Sequence, residues 1–528
     1  MRPGAATGLA ALGFLALLGS GTIFGLALAG GDAGIFNARL AGVVRFTLLQ
    51  AGLSALLSIL PGLALALALH RNRQFLGRGL MLSLLALPFA LPSLAGVLAM
   101  LSLYGRAGPL AGVIEALGLP QWPGIYGLTG IVATHVFFNM ALAARLFLAA
   151  LDAVPANEYR LAAQLGMDRR ARLRRVEWPV LRAALPNALM LVFMLCMTSF
   201  AIVLLAGGGP AATTLEVAIY QALRFDFDPG QAAMLTAVQA GLAALLALIA
   251  SRFGLSLLPD ASAHVGQMSR PHARRSARAT RTDMAVILFS AAYLIAPLGM
   301  IAAWGFAADL GRLAGEAVVQ RAVFNSLGLA LISGLLAIGL AAALTLGQRR
   351  LAQRGGLGRA AAKVMATAPF LVLVLPSIAI GSGWFLLLRH WTDPAPFAPF
   401  MVASVNAAMA LPFAAGLLRP ALDLAAGRHD RLCASLGIFA WARFALVEWP
   451  VMKRPLLAAL ALAMALSMGD LGVIALFGGD RLVTLPYLVQ ARMGSYRTQD
   501  AEGLALMLAV ICLLLTLAAV QASKEKPA

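Results

Sequence analysis

Twenty-one residues occur twice in this chain, and their chemistry is that of recognition rather than bond-making. Arg160–Val180 reads RLAAQLGMDRRARLRRVEWPV, and Arg431–Val451, 271 positions later, reads RLCASLGIFAWARFALVEWPV. Without a gap, 12 of the 21 positions are identical, among them Arg160/Arg431, Leu165/Leu436, Gly166/Gly437 and the run Val176–Val180/Val447–Val451. Each copy is basic or amphipathic and is flanked by long apolar segments. Such a loop meets the same kind of partner twice, and a repeat of this length implies two halves of common build. The parts of a catalytic site are missing. No Gly-Lys dipeptide occurs, so no phosphate-cradling loop with its lysine is present; GGGPAATT at Gly207–Thr214 has the glycines alone. His70, His135, His264, His272, His390 and His429 show no ligand spacing, and no Ser/His/Asp constellation can be argued. Cys196, Cys433 and Cys512 lie scattered in or beside apolar segments and read as packing residues, with no disulfide framework or metal set. The chain is expected to carry no cofactor and no metal, and not to be an enzyme.

The elements that must position the repeated loops are set by composition. Of 528 residues, 61% are hydrophobic and 12% charged, against about 25% charged in soluble domains, so the chain is a polytopic membrane protein. Twelve apolar segments approach the roughly 20 residues that a bilayer needs: about 8–30, 42–69, 79–104, 126–151, 183–206, 231–258, 284–307, 324–347, 363–388, 399–422, 455–478 and 503–521. The first is too long for a signal-peptide core and reads as a retained span. All should be helices, because lipid offers backbone polar groups no other partner. Pro61, Pro88, Pro92, Pro297, Pro369, Pro376 and Pro412 should kink or break some of them.

Lys and Arg fix the orientation. With the N-terminus inside, 30 of the 41 basic residues fall in cytoplasmic segments, and both copies of the repeated loop lie on that side. Both termini are then cytoplasmic. Residues 1–258 and 284–528 form two six-helix halves, and 259–283 is a small, polar, basic linker without apolar periodicity. That linker reads as a tether beside anionic lipid rather than a nucleic-acid site. Further echoes join the halves: LPFALPS at Leu87–Ser93 with APFLVLVLPS at Ala368–Ser377, and Asn139 with Asn406. Both span pairs run in the same sense, so the repeat is parallel, about an axis along the membrane normal.

With these residues in view, the loop resembles the cytoplasmic "EAA" loop of binding-protein-dependent ABC importer permeases. Small residues and a Gly are followed, nine residues on, by an aliphatic-x-x-Pro: Gly166 then Val176-Glu177-Trp178-Pro179, and Gly437 then Val447-Glu448-Trp449-Pro450. The resemblance implies an all-α type I importer permease fold. In it, two short helices around the Gly seat in a groove of a separate ATPase subunit, of which two copies bind, carrying the ATP and Mg. Ala162, Ala163 and Ala434 would let the helix seat closely, Gly would supply the turn, and Pro179 and Pro450 suit the first turn of the next span. The family's usual Glu, six positions before the Gly, is replaced by Arg160 and Arg431. Asp168 is placed to cap the second short helix of the first copy, whereas Phe439 cannot cap that of the second.

Within that family the chain looks most like the fused two-half permeases for thiamine and thiamine phosphates, over nearly its whole length. The likeness is densest at Gly207–Leu235, Met468–Gly479 and Met493–Asp500. Fused ferric-iron permeases share the architecture, and an ion-driven secondary transporter also suits twelve spans in two parallel halves. The resemblance implies a periplasmic solute-binding protein as partner, membrane lipid around the spans, no nucleic acid, and a bacterial inner-membrane location. Pathway candidates lie in the spans after the loops, where Ser199 matches Asp470 at the same 271-residue offset. An ionisable group in a span is costly, so Asp470 reads either as a contact for a cationic solute or gate, or as a hydrogen-bonded acid near the outer interface. Asn139 and Asn406 read first as interhelical hydrogen-bond residues and second as pathway contacts. Glu216, Arg224, Asp226 and Asp228 are expected in an outer, solvated loop where a binding protein would dock.

Overall fold

The computed structural model describes residues 3–29, 38–252, 277–352, 355–372, 375–438 and 440–523. Among them the chain is helical apart from connections and one bridge between Gly479 and Leu482. The helices that matter below are, in the first half, α1 (Pro3–Ala29), α2 (Ala38–Arg71), α3 (Ser93–Tyr104), α4 (Leu128–Ala153), α5 (Ala156–Gln164), α6 (Trp178–Met197), α7 (Phe200–Ala206), α8 (Leu215–Arg224) and α9 (Pro229–Arg252). In the second half they are α10 (Ala277–Ala307), α11 (Ala317–Ala352), α12 (Ser377–Trp391), α13 (Ala398–Ser435), α14 (Trp449–Gly469), α15 (Gly472–Phe477), α16 (Leu485–Gly494) and α17 (Thr498–Ser523).

Among the described residues, 11 helices are long and apolar enough to cross a membrane. The expected span at 363–388 is instead two 15-residue helices, Leu357–Leu371 and α12. The expected span at 79–104 is likewise cut into Arg78–Leu84, Leu87–Ala90 and α3. Both cuts fall at the Leu-Pro-Ser echo. Pro92 (φ −56°, ψ 139°) and Pro376 (φ −57°, ψ 150°) are extended and immediately precede α3 and α12. Proline fixes φ, lacks the N–H a helix needs and disfavours a helical residue before it. Pro61, Pro297 and Pro412 lie inside continuous helices.

The spans after the repeated loops are also interrupted, at matching places. Ser199 (φ −100°, ψ 93°) separates α6 from α7, and Asp470 (φ −79°, ψ 126°) separates α14 from α15. The linker corrects at one end. Ala277–Asp283 is helical within α10, and Asp283 is held by Arg169 (Nη2 to Oδ1, 2.7 Å) and Asn72 (Nδ2 to Oδ2, 3.3 Å). Only residues up to 276 of the expected tether remain, and 259–276 lie outside the described residues. An acid facing two donors anchors the segment that composition alone read as polar coil.

The first helix of each half packs on the other half. Helix α1 lies against α11 and α12, whereas α10 lies against α2 and α3 as well as against α17 of its own half. Glycines permit the close approach, as in other membrane helix crossings. A Cβ on Gly25 would sit 1.9 Å from Gly383 O, and one on Gly383 would sit 2.7 Å from Thr22 Cα. Trp384 Nε1 donates to Leu18 O (2.9 Å) at this crossing, and Tyr293 OH donates to Ala133 O (2.7 Å) at the other. The cores record the same exchange. The first half's cluster takes in Ile287 and Leu294 of α10, and a cluster of the second takes in Ala5 and Ala11 of α1. A third cluster joins both halves through α3, α7, α8, α15 and α16. Large apolar side chains such as Ile23, Leu60, Phe289 and Leu514 remain exposed on the outside of the bundle, the surface that acyl chains would cover.

Candidate functional site: two loops and the broken helices after them

Each repeated loop ends a helix in the same way. After α5, Gly166 N donates to Ala163 O (3.1 Å) and Met167 N to Ala162 O (2.9 Å), with Gly166 at φ +63°. After α13, Ile438 N donates to Cys433 O (2.9 Å), with Gly437 at φ +66°. This is the Schellman closure, in which a left-handed residue lets the chain fold back to satisfy the last carbonyls. Only glycine takes that conformation without a Cβ penalty, which explains its recurrence at the same place in both copies. In the first copy the next helical turn, Arg169–Arg172, is capped as expected by Asp168, whose Oδ1 accepts from Ala171 N (2.7 Å). Phe439 lies outside the described residues.

The outward face of each loop presents a congruent pair of leucines. Leu161 and Leu165 are 55% and 63% exposed, and their counterparts Leu432 and Leu436 are 54% and 63% exposed. Arg160, Ala163 and Gly166 share that exposed face in the first copy, as Gly437 does in the second. Ala162 faces the other way. It is buried among Val154, Tyr159 and Val176, so of the two small residues only Ala163 is open to a partner. The side chains of Arg431 and Ala434 lie outside the described residues. Pro179 and Pro450 are exposed in the first turn of α6 and α14.

Beneath this face each loop is fastened by an Arg–Glu pair that sequence reasoning missed. Five-residue π-helical turns, Leu173–Glu177 and Phe444–Glu448, join the loops to α6 and α14. Across them Arg172 Nε donates to Glu177 Oε1 (3.1 Å) and Arg443 Nε to Glu448 Oε1 (3.1 Å). Glu177 is fully buried and also accepts from Arg71 Nη2 (2.5 Å). All four of Arg172, Arg443, Glu177 and Glu448 stand among the identical positions of the repeat, which was the available signal. In the first half a second tie holds α5. His70 Nδ1 donates to Asp152 Oδ1 (3.0 Å), His70 Nε2 pairs with Tyr159 OH (2.9 Å), and Arg73 also pairs with Asp152.

Close to each break, a hydrogen bond ties the span to its neighbour. Asn139 Nδ2 donates to Cys196 Sγ (3.3 Å), three residues before Ser199; Asn406 Nδ2 donates to Ser467 Oγ (2.9 Å), three residues before Asp470. Both asparagines thus bridge the helix before the loop to the helix after it. Ser467 Oγ in turn donates to Ser333 Oγ of α11 (3.2 Å). A hydroxyl in the second span of each half caps the short helix beyond the break: Leu215 N donates to Thr47 Oγ1 (3.0 Å) and Leu485 N to Ser326 Oγ (2.8 Å).

Asp470 is the acid at the meeting of the halves. Ser377 Oγ donates to its Oδ1 (3.4 Å), and a Cβ on the preceding Gly469 would lie 3.5 Å from Pro92 Cα, so both Leu-Pro-Ser breaks converge here. Asn406 and Asp470 line one small cavity with Ser467 and Thr484; Asn139 and Ser199 do not line it. Glu216 corrects the expectation of a solvated loop. It is 2% exposed on α8, which packs against α15. Burial pushes its carboxyl well above the usual carboxylate range, and the charge of Asp470 pushes it further the same way. Arg224, expected with it in that loop, instead donates from Nη2 to Gly478 O of the other half (3.2 Å). Asp226 is exposed, and Asp228 Oδ1 caps α9 by accepting from Gln231 N (2.9 Å). Among the described residues no group of three His, Cys, Asp or Glu side chains is placed to hold a metal.

The chain is a bundle of long apolar helices with paired surface loops and interrupted helices between them, and residues 58–260 match the model of the binding-protein-dependent transport system inner membrane component. The chain is 49% identical to the thiamine transport system permease protein ThiP of Brucella abortus (strain 2308), over 98% of this chain and 95% of the relative. The corresponding proteins of Escherichia coli (strain K12) and Haemophilus influenzae (strain ATCC 51907) are 42% and 36% identical, over 90% and 96% of this chain and 87% and 94% of theirs. The chain belongs to this family of multi-pass inner-membrane permeases.

Proposed function

We propose that the chain is the membrane subunit of an ABC importer that moves thiamine or its phosphates across the inner membrane. The observation that carries the reading is the pair of congruent loops, each an exposed leucine pair ahead of a left-handed glycine, in a chain matched end to end by thiamine permeases. Two copies of a separate ATPase, holding the ATP and Mg, dock on Leu161–Gly166 and Leu432–Gly437. A periplasmic solute-binding protein docks on the opposite face, and both termini are cytoplasmic. Residues 1–258 and 284–528 act as the halves of a pseudo-dimer, each lending its first helix to the other.

ATP-driven closure of the ATPase pair moves the loops. The Arg–Glu pairs and the Asn139 and Asn406 bridges pass that movement to α6 and α14, and the break at Asp470 meets the junction of the halves. Transport then follows from differential stabilisation of two packings, with no covalent step on this chain. The test is ATP hydrolysis by the complex in nanodiscs, with co-expressed ATPase and binding protein. Stimulation by binding protein with thiamine is the expected result. Stimulation by ferric iron instead overturns the solute, and failure of any ATPase to associate overturns the class.

A further inference from the structure

Beside the break at Asp470 lies a cavity of about 10 Å³, lined by Ser326, Asn406, Ser467, Asp470, Thr484 and Pro486 among others, which is room for about one water. Three of these residues carry a buried oxygen without a hydrogen-bond partner: Asn406 Oδ1, Asp470 Oδ2 and Thr484 Oγ1. The amide of Asn406 is not free to flip, because its Nδ2 also lies 3.3 Å from Ser467 O, which can only accept. Thr484 is spared from capping α16, since Ser326 takes the Leu485 N–H. Native interiors seldom leave several such oxygens around one space, and what satisfies them must bring hydrogens or positive charge.

The first half repeats the polar frame without the acid. Ser199 stands for Asp470, Asn139 for Asn406, Thr214 for Thr484 and Cys196 for Ser467. Its acid is displaced to Glu216, which answers to Pro486 of the cavity wall and whose Oε1 is likewise buried without a partner. Two carboxylates therefore enter the junction from different halves at non-equivalent places, and no Arg or Lys pairs with either among the described residues.

We propose that Asp470, Asn406 and Thr484 form a subsite for the cationic, hydrogen-bond-donating part of the solute, with Glu216 supplying a second acid from the other half. This rests on, and deepens, the thiamine reading: thiamine has a fixed thiazolium charge and an exocyclic amine with two donors. A fixed positive charge that enters a desolvated site must be paired there, and an opposite charge does so. A water-sized space admits a single donor group, so the whole solute enters when the break between α14 and α15 widens, and that break ends the helix that the second loop drives.

The test measures binding of free thiamine to the assembled permease–ATPase complex without binding protein, and uptake into proteoliposomes with it. Asp470→Asn should weaken thiamine binding and lower uptake at limiting thiamine at least tenfold. Thr484→Val should act in the same direction and Thr484→Ser should restore it, which a loss of folding would not do. Neutral thiochrome should not compete. Equal thiamine binding by wild type and Asp470→Asn, or equal competition by thiochrome, overturns the subsite and leaves the importer reading standing. Binding that tracks sodium rather than thiamine reassigns the cavity to an inorganic cation and also overturns it. If the wild type carries another solute and no thiamine, the thiamine reading falls; the subsite then stands only if that solute is a cation whose uptake Asp470→Asn abolishes.

Discussion

Replacing the two loop glycines separates backbone strain from partner packing, because the chain itself leaves room at both. A Cβ on Gly166 or Gly437 would meet nothing within 4 Å, yet both glycines sit at φ above +60°. An L-residue there costs roughly 1–2 kcal/mol, with valine above alanine because of its branch, whereas asparagine tolerates the left-handed region. Each 1.4 kcal/mol is about tenfold in an equilibrium. Gly→Ala at one loop should therefore depopulate the closed turn by about 5- to 30-fold relative to wild type. The two glycines lie 271 positions apart on separate loops, so the double variant should add the two penalties, roughly 2–4 kcal/mol. The assay is uptake and solute-stimulated ATP hydrolysis in nanodiscs, with protein level as control. If the turn is what matters, Asn at position 166 outperforms Ala; if close seating against the ATPase is what matters, the smaller Ala outperforms Asn. Wild-type uptake by Gly166→Val and Gly437→Val together would refute the coupling argument altogether.

Leu161→Asp and Leu432→Asp alter exposed side chains and should leave insertion and thermal stability unchanged while abolishing co-purification of the ATPase. Glu177→Ala strands Arg71 and Arg172 in a buried position and should destabilise the first half by about 3–5 kcal/mol. Glu448→Ala, at a carboxylate less completely buried than Glu177, should cost less, and thermal unfolding in detergent compares the two. Gly25→Val places side-chain atoms where Gly383 O already lies. It should push α1 off α12, read as a gain of protease access near Leu18 and a fall in assembled protein.

Much of this molecule was written locally. Apolar length placed the spans, because a bilayer demands about 20 residues regardless of neighbours. The glycine of each loop and the Asp168 cap followed from rules that act within a few residues, and the two Leu-Pro-Ser echoes marked where helices break. The Arg172–Glu177 and Arg443–Glu448 pairs were present as identities in the repeat, but five-residue spacing does not face on an ordinary helix; the π-turn that brings them together became visible only in three dimensions.

Other features depend on which residues meet across the chain. Ala162 and Ala163 are equivalent in sequence, and only the packing of Val154, Tyr159 and Val176 decides that the first is covered and the second open. Glu216 looks like a loop acid until α8 is laid against α15. The exchange of α1 and α10 between the halves leaves no trace in hydropathy, since a span reads the same against lipid or against a neighbour. By itself, the sequence determined the class, the apolar segments and the place of the two repeated loops, all of which rest on interactions between near neighbours or with solvent. Only the tertiary structure decided that Asp470, Asn406 and Thr484, far apart along the chain, border one space with their oxygens unpaired. The desolvation that makes such unpaired oxygens costly exists only once the helices have packed around them.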